Sequence, residues 1–286
     1  MSGTSAPVLV VGATGKQGGS VIRALQRLPN PPKLRALSRN PSSPAAVKLT
    51  QQGVEVVKGS LCDPPSLRAA LQGCASAFLF TAHPGKNDPT EDAQGKAFVD
   101  AAKETSLPFL VFTSVSDATP TCGVPHFETK AKIEEAIVAS GIPHTILALT
   151  AFYENLPRQS GFVTFMALGL FDAALQGRKL QMIAVDDIGY FAAQALSNPS
   201  AYAGRHIQLA GDELSMEQVR QTYSQVQRTS VWKSRMPAFV INLLPHDFSV
   251  MMKKFGKEGY TARIGELRGE YGGLKTFKMW LEEGRK

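Results

Sequence analysis

Short apolar runs rich in β-branched residues recur along the first half of the chain, each followed by a stretch with helical spacing of apolar positions. Residues 8–11, 34–37, 54–57, 77–80, 109–113 and 145–149 read as strands. Residues 18–27, 45–52, 65–71, 91–104 and 128–140 read as the helices between them. Strands without a polar face, alternating with helices of this size, predict βαβ units and a parallel sheet covered on both sides. Asp63 before Pro64 predicts a helix N-cap, and Gly141 with Pro143 closes the fifth helix.

After Asn155 the rhythm breaks. Residues 161–177 are apolar but contain Gly169, so helix and loop both remain open. Residues 180–185 read as a strand, 186–196 as a helix capped by Asp186, and 205–209 as another strand. Ser215 with Gln218 forms the pattern of a capping box for a helix through Gln227. The tail adds short helical pieces interrupted by Pro237, Pro245, Gly256 and Gly272–Gly273. The expected fold class is therefore α/β: a Rossmann-type doubly wound parallel sheet in residues 1–155, with a smaller mixed α/β part in 156–286 that serves a substrate or partner. The stretch 180–210, with its strand-helix-strand pattern, can return to the sheet.

Composition narrows the class of protein. The 286 residues are 43% hydrophobic and 19% charged, as in ordinary globular chains. Three cysteines without a CxxC pair point to a reducing compartment. The N-terminal residues lack the basic and cleavage-site features of a secretion signal. The most apolar stretch, residues 162–175, is too short to span a bilayer and contains Asp172. A cytoplasmic location is expected, with nuclear entry left open and no membrane partner. Residues 1–155 hold 14 Lys and Arg against 12 Asp and Glu; residues 156–286 hold 17 against 12. No basic run with interleaved aromatics accompanies this excess, so nucleic acid is not the expected partner. The oligomeric state has no signature here.

The sharpest chemical signal follows the first strand. Gly12, Gly15 and Gly18 sit between that strand and a helix: the first permits a tight turn, the second a close approach to a pyrophosphate, the third helix packing. Thr14, Lys16 and Gln17 complete the loop, whose helix N-terminus offers free N–H groups to phosphates. A nicotinamide dinucleotide is the expected cofactor. The second strand runs into Arg39, with no acid between Gly18 and Glu55, which favours NADP(H) through its 2′-phosphate over NAD(H). His83, His144, His206 and His246 lack metal-ligand spacing, so no metal site is expected, and His144 reads as structural. No Gly-x-Ser-x-Gly elbow is present. Phe239, Phe248, Met251, Met252 and Phe255 read as core, with an apolar pocket or a partner surface as the alternative. Trp232 and Trp280 read as structural.

Taken in order, GATGKQG (12–18), SRNP (38–41), QGK (94–96), HFETK (126–130), AFYEN (151–155) and VDDIGYFAAQAL (185–196) resemble the NmrA-like family, atypical members of the short-chain dehydrogenase/reductase superfamily. GYTARIGELR (259–268) ahead of LKTFKMWL (274–281) extends the resemblance over almost the whole chain. It implies that Lys130 contacts the cofactor, with Arg39, Thr81, Lys96, Phe152, Tyr153 and Asn155. Asp63 is left to meet the adenine, since Ser60 and Cys62 stand where acids are common. Ser114 matches the superfamily's catalytic serine. His126, however, stands where the superfamily's catalytic tyrosine would be. His126 and Tyr153 are then the candidate proton donors, since a free imidazole titrates near neutrality. The missing tyrosine leaves two functions: a reductase of a small apolar carbonyl, quinone or imine, or a non-catalytic NADP(H)-sensing regulator that acts through a protein partner.

Overall fold

The strands nearest the middle of the sheet are buried at every position, which is why they carry no polar face: β1 (Val8–Val10) reads Val-Leu-Val and β4 (Ser76–Leu79) reads Ser-Ala-Phe-Leu. In the computed structural model, residues 6–82, 84–234 and 236–284 are described. Between and beyond these strands come α1 (Lys16–Gln26), β2 (Leu34–Ser38), α2 (Pro44–Gln51), β3 (Glu55–Lys58) and α3 (Pro64–Leu71). Then follow α4 (Glu91–Glu104), β5 (Leu110–Val115), α5 (Pro125–Ser140) and β6 (His144–Leu149). The strand order is β3-β2-β1-β4-β5-β6-β9, with β9 at His206–Leu209. Neighbours β1–β2, β2–β3, β1–β4 and β4–β5 run parallel, and Val10 is in register with both Ala36 and Phe78. The order reverses between β1 and β4, which makes the sheet doubly wound and puts a switch point at the carboxyl end of β1.

Two compact units divide the chain, and neither is continuous. The first comprises Met1–Ser114, Thr129–Ala148 and Ile188–Ile207; the second comprises Val115–Glu128, Leu149–Asp187 and Gln208–Lys286. The first has a core that includes Leu9, Leu67, Leu79, Phe98, Phe112 and Ile137. The second holds a three-stranded sheet, β10-β8-β7, built from β7 (Ala151–Phe152), β8 (Leu180–Ile183) and β10 (Asp212–Leu214). Its helices are α6 (Phe162–Leu175), α9 (Met216–Gln227), α10 (His246–Lys257), α11 (Ile264–Glu270) and α12 (Phe277–Glu283); α7 (Val185–Ser197) starts there, and α8 (Pro199–Tyr202) belongs to the first unit.

The stretch left open around Gly169 is the helix α6. A Cβ at Gly169 would lie 2.6 Å from the side chain of Ser234, so glycine serves a close approach there rather than a break. The one charged residue of α6, Asp172, receives Arg220 of α9 at 2.5 Å, and Arg220 also reaches Glu217 at 3.0 Å. The capping box at Ser215 and Gln218 is formed on both sides. Asp186, however, does not cap its helix. α7 begins one residue earlier, and the Val185 N–H is accepted by both carboxylate oxygens of Glu154 at 3.2 Å. Asp63 occupies its N-cap position without a side-chain bond to the helix; Ser66 instead bridges Ser60 N–H and the Asp63 carbonyl. α5 begins at Pro125, three residues earlier than expected, so His126 lies in its first turn.

Trp280 is buried, as expected, but Trp232 is 78% exposed and is no core residue. Met252 and Phe255 are buried, whereas Phe239 and Phe248 stand 61% and 47% exposed. The Nδ1 of His144 bonds the Ile142 carbonyl at 2.7 Å, in keeping with a structural role. His206 Nε2 meets Glu134 at 3.1 Å. No group of metal ligands exists among the described residues; His83 lies outside them. The three cysteines are free thiols, and no described helix is long and apolar enough to cross a membrane.

Candidate functional site

In the first unit the glycine turn follows β1 as the spacing requires. Gly12 has φ +69°, and Gly15 N–H closes back on the Gly12 carbonyl at 2.9 Å. A Cβ at Gly18 would meet Gly12 O at 2.4 Å and Ala13 N at 2.8 Å, both backbone atoms that cannot step aside. Gly15 is the N-cap of α1, makes no side-chain cap bond, and no acid sits in the first turn. The first N–H groups of α1 therefore have no partner inside the helix and present the positive end of its dipole. Gln17 lies in this turn, and its Oε1 is buried with no hydrogen-bond partner among the described residues. These features fit a dinucleotide: a cradle that a Cβ would fill, free N–H groups and an orphaned polar atom. Arg39, just past β2, is exposed and has no ion pair among the described residues.

A buried polar cluster occupies the ends of β4 and α4. Thr81, 1% exposed, follows β4 and faces Glu91 in the first turn of α4. Lys130 Nζ lies 2.8 Å from Glu91 Oε1, 2.8 Å from the Thr81 carbonyl and 2.8 Å from Thr81 Oγ1. Thr81 Oγ1 donates to Glu91 Oε1 at 2.8 Å, and Thr129 Oγ1 donates to Glu91 Oε2 at 3.0 Å. The ammonium also stands 5.5 Å from the Phe112 ring centre and 5.7 Å from that of Phe80. Burial pushes the Glu91 carboxyl up, but the Lys130 ammonium and the two hydroxyls outweigh it and hold the group below the usual carboxylate range. Burial lowers Lys130, and Glu91 offsets part of that. Ser114, near the end of β5, is buried, and its Oγ has no hydrogen-bond partner among the described residues. Lys96 lies elsewhere on α4, in an exposed pair with Asp100 at 2.7 Å. Asp63 is exposed.

The remaining candidates belong to the second unit. Tyr153 is fully buried, packed at 5.4 Å from Phe277 and 5.8 Å from Trp280, and its hydroxyl donates to the Lys275 carbonyl at 3.3 Å. Burial, with Asp212 and Asp187 nearby, raises its phenol above the ordinary value. That environment holds the proton rather than releasing it. Phe152 ends β7, and Asn155 closes the 3₁₀ turn of Tyr153–Asn155. His126 pairs through Nδ1 with Asp247 Oδ1 at 2.7 Å, across 121 residues of sequence, and its side chain is 30% exposed. A carboxylate on Nδ1 favours the imidazole tautomer that is protonated at that nitrogen.

Glu91 and Asp247 are the two residues that sequence reading missed. An acid in the first turn of a helix is favoured by the helix dipole alone, so nothing marked either one as special.

A reversing parallel sheet with a glycine turn leading into α1 defines a doubly wound α/β protein of the dinucleotide-binding type. The chain belongs to the NmrA-like family, which matches residues 4–266. It is 33% identical over 240 residues to the NmrA-like family domain-containing oxidoreductase FrzB of Cladobotryum sp., covering 72% of this chain and 70% of that protein. It is 30% identical over 175 residues to the oxidoreductase ptmS of Penicillium ochrochloron, and the match spans 57% of this chain and about half (52%) of that protein. Among solved structures, the NADPH complex of the Escherichia coli quinone oxidoreductase QOR2 superposes with a TM-score of 0.79 at 22% identity, over 98% of this chain and 100% of the other. The negative transcriptional regulator NmrA, in complex with NAD, superposes with a TM-score of 0.77 at 21% identity, over 98% and 95% of the two chains. These similarities establish the fold.

Proposed function

We propose that the chain is an NADP(H)-dependent oxidoreductase that reduces a small apolar carbonyl, quinone or imine by hydride transfer. The carrying observation is the glycine turn, where Gly18 leaves no room for any side chain and α1 opens uncapped. Gly12, Thr14, Gly15, Lys16, Gln17 and Gly18 are assigned to the pyrophosphate, Arg39 to the 2′-phosphate, and Thr81 with Lys130 to the nicotinamide side. Bound NADPH would supply the hydride. The QOR2 complex with NADPH and the relatives named as oxidoreductases support this reading.

Reduction also needs a proton for the oxygen or nitrogen of the acceptor, and His126 is assigned that task. Asp247 accepts the hydrogen bond from Nδ1–H, orients the ring and stabilises the imidazolium that would deliver the proton. Ser114 and Tyr153 are less suited: the first is buried in the sheet and the second in the core of its unit.

The second reading is a redox-sensing regulator that binds NADP(H) and a protein partner. It is favoured by the enclosed Tyr153 hydroxyl and by the likeness to NmrA. One experiment separates the two: titration with NADPH, NADP⁺, NADH and NAD⁺, followed by NADPH consumption against a carbonyl, quinone and imine panel. Tight NADP(H) binding with turnover is the expected result. Binding without turnover on any acceptor selects the sensor, and no binding of any dinucleotide overturns both.

A further inference from the structure

The second unit contains a cavity of about 480 Å³ between the start of α6 and the segment that leaves α9. Its lining is Ser160, Gly161, Phe162, Phe165 and the run Thr229, Ser230, Val231, Trp232. Both walls are held in place. Arg228 adopts φ +55°, ends α9 and turns the chain back along the cavity. The last residue of α9, Gln227, accepts the Ser160 N–H at 2.7 Å and donates to the Arg158 carbonyl at 2.6 Å. Thr164 Oγ1 donates to the Gln159 carbonyl at 2.6 Å and anchors the first turn of α6.

The chemistry of this cavity selects its ligand. Phe162 and Phe165 lie nearly parallel, 29° apart with centres separated by 6.3 Å. Phe162 is 76% exposed and Trp232 is 78% exposed, so both walls offer aromatic surface to a guest. Among the described residues no charged side chain lines the cavity; its polar side-chain groups are the hydroxyls of Ser160, Thr229 and Ser230 and the indole N–H of Trp232. The volume falls in the range of small-molecule sites, which combine apolar walls with a few polar groups. An ionic ligand would find no counter-charge among these residues. A flat uncharged one would find rings for its faces and hydroxyls for a carbonyl oxygen.

We propose that this cavity binds a planar, uncharged, polycyclic aromatic molecule.

The full chain labelled with 5-fluorotryptophan tests it, because its two tryptophans report separately: Trp232 lines the cavity and Trp280 is buried. Trp232→Phe assigns the ¹⁹F resonances. Titration with phenanthrene and with 9,10-phenanthrenequinone is expected to move the Trp232 signal saturably and to leave Trp280 in place. Phe162→Asp, at an exposed position, should weaken both ligands at least tenfold. An unmoved Trp232 signal, or unchanged affinity in Phe162→Asp, overturns the proposal. So does a Trp232 signal that follows protein concentration instead of ligand, which would mark a self-association surface.

Discussion

The Nζ of Lys130 sits 2.8 Å from Glu91 Oε1, and with two more acceptors on Thr81 every proton of the ammonium is engaged. The family resemblance singled out Lys130 alone; the structure gives it a buried counter-ion. Removing one member strands the other charge away from water, which costs about 3–5 kcal/mol for such pairs. Glu91→Gln and Lys130→Met should each destabilise the protein by that order, and the double variant by less than either. Urea unfolding of the four proteins measures the coupling. Additive losses would show that the two groups are energetically independent.

Asp187 predicts a pH dependence of stability. It is 1% exposed, and its Oδ2 accepts the Lys275 N–H at 3.0 Å while Oδ1 has no partner among the described residues. Burial pushes its carboxyl up to about 7, against the opposing Lys275 N–H and ammonium. The folded state therefore binds this proton more tightly than the unfolded chain. Its contribution is fully present below about pH 4, declines as pH rises to about 7, and by then has cost on the order of 4 kcal/mol. Asp187→Asn should stabilise the protein at pH 8 and change little at pH 4. Equal effects at both pH values would refute the assignment.

Gly18→Ala tests the cradle. The new methyl group would press on the backbone of Gly12 and Ala13, so overpacking of about 1–3 kcal/mol is expected, with loss of NADPH binding. Thermal unfolding and calorimetric titration report the two losses separately. Unimpaired NADPH affinity would place the dinucleotide elsewhere.

Arg39→Ala should discriminate between the cofactors. A charge-assisted bond to a 2′-phosphate contributes about 1.5–3 kcal/mol, so NADPH affinity should fall about 10- to 150-fold while NADH affinity hardly moves. Equal losses for both would assign Arg39 to the adenine or to the surface.

His126→Phe should reduce turnover by about a hundredfold or more and leave NADPH affinity intact, as for the loss of a general acid. Asp247→Asn should reduce turnover less and change the His126 tautomer, seen in the ¹⁵N shifts of its ring. Full activity in His126→Phe would move proton delivery to water.

The strands of the seven-stranded sheet and the first five helices were legible because both are local patterns, a period of two or an apolar run against a period near four, whereas β7 and β10 are too short to show either. The glycine turn was legible for the same reason: seven consecutive residues carry it. What failed depended on partners far along the chain. Whether residues 161–177 were helix or loop turned on Ser234, which tucks against Gly169. Asp186 was assigned a cap that Glu154 supplies from the 3₁₀ turn after β7. Lys130 and Thr81 meet across 49 residues, and His126 and Asp247 across 121. Trp232 shows the same limit in reverse, since nothing next to it in sequence says that it faces outward.

The interrupted make-up of the first unit bears on how the chain is made. A ribosome releases β1 to β5 within the first 115 residues, but β9, the last strand of the sheet, arrives only at His206–Leu209. Until then β6 lies at an open edge, ready to pair with any passing strand. Much of the second unit's sequence must emerge before that edge is closed. Arrest of synthesis after β6 has cleared the ribosome but before β9 is made should therefore yield nascent chains that call on chaperones, even though every residue of the glycine turn has long been translated.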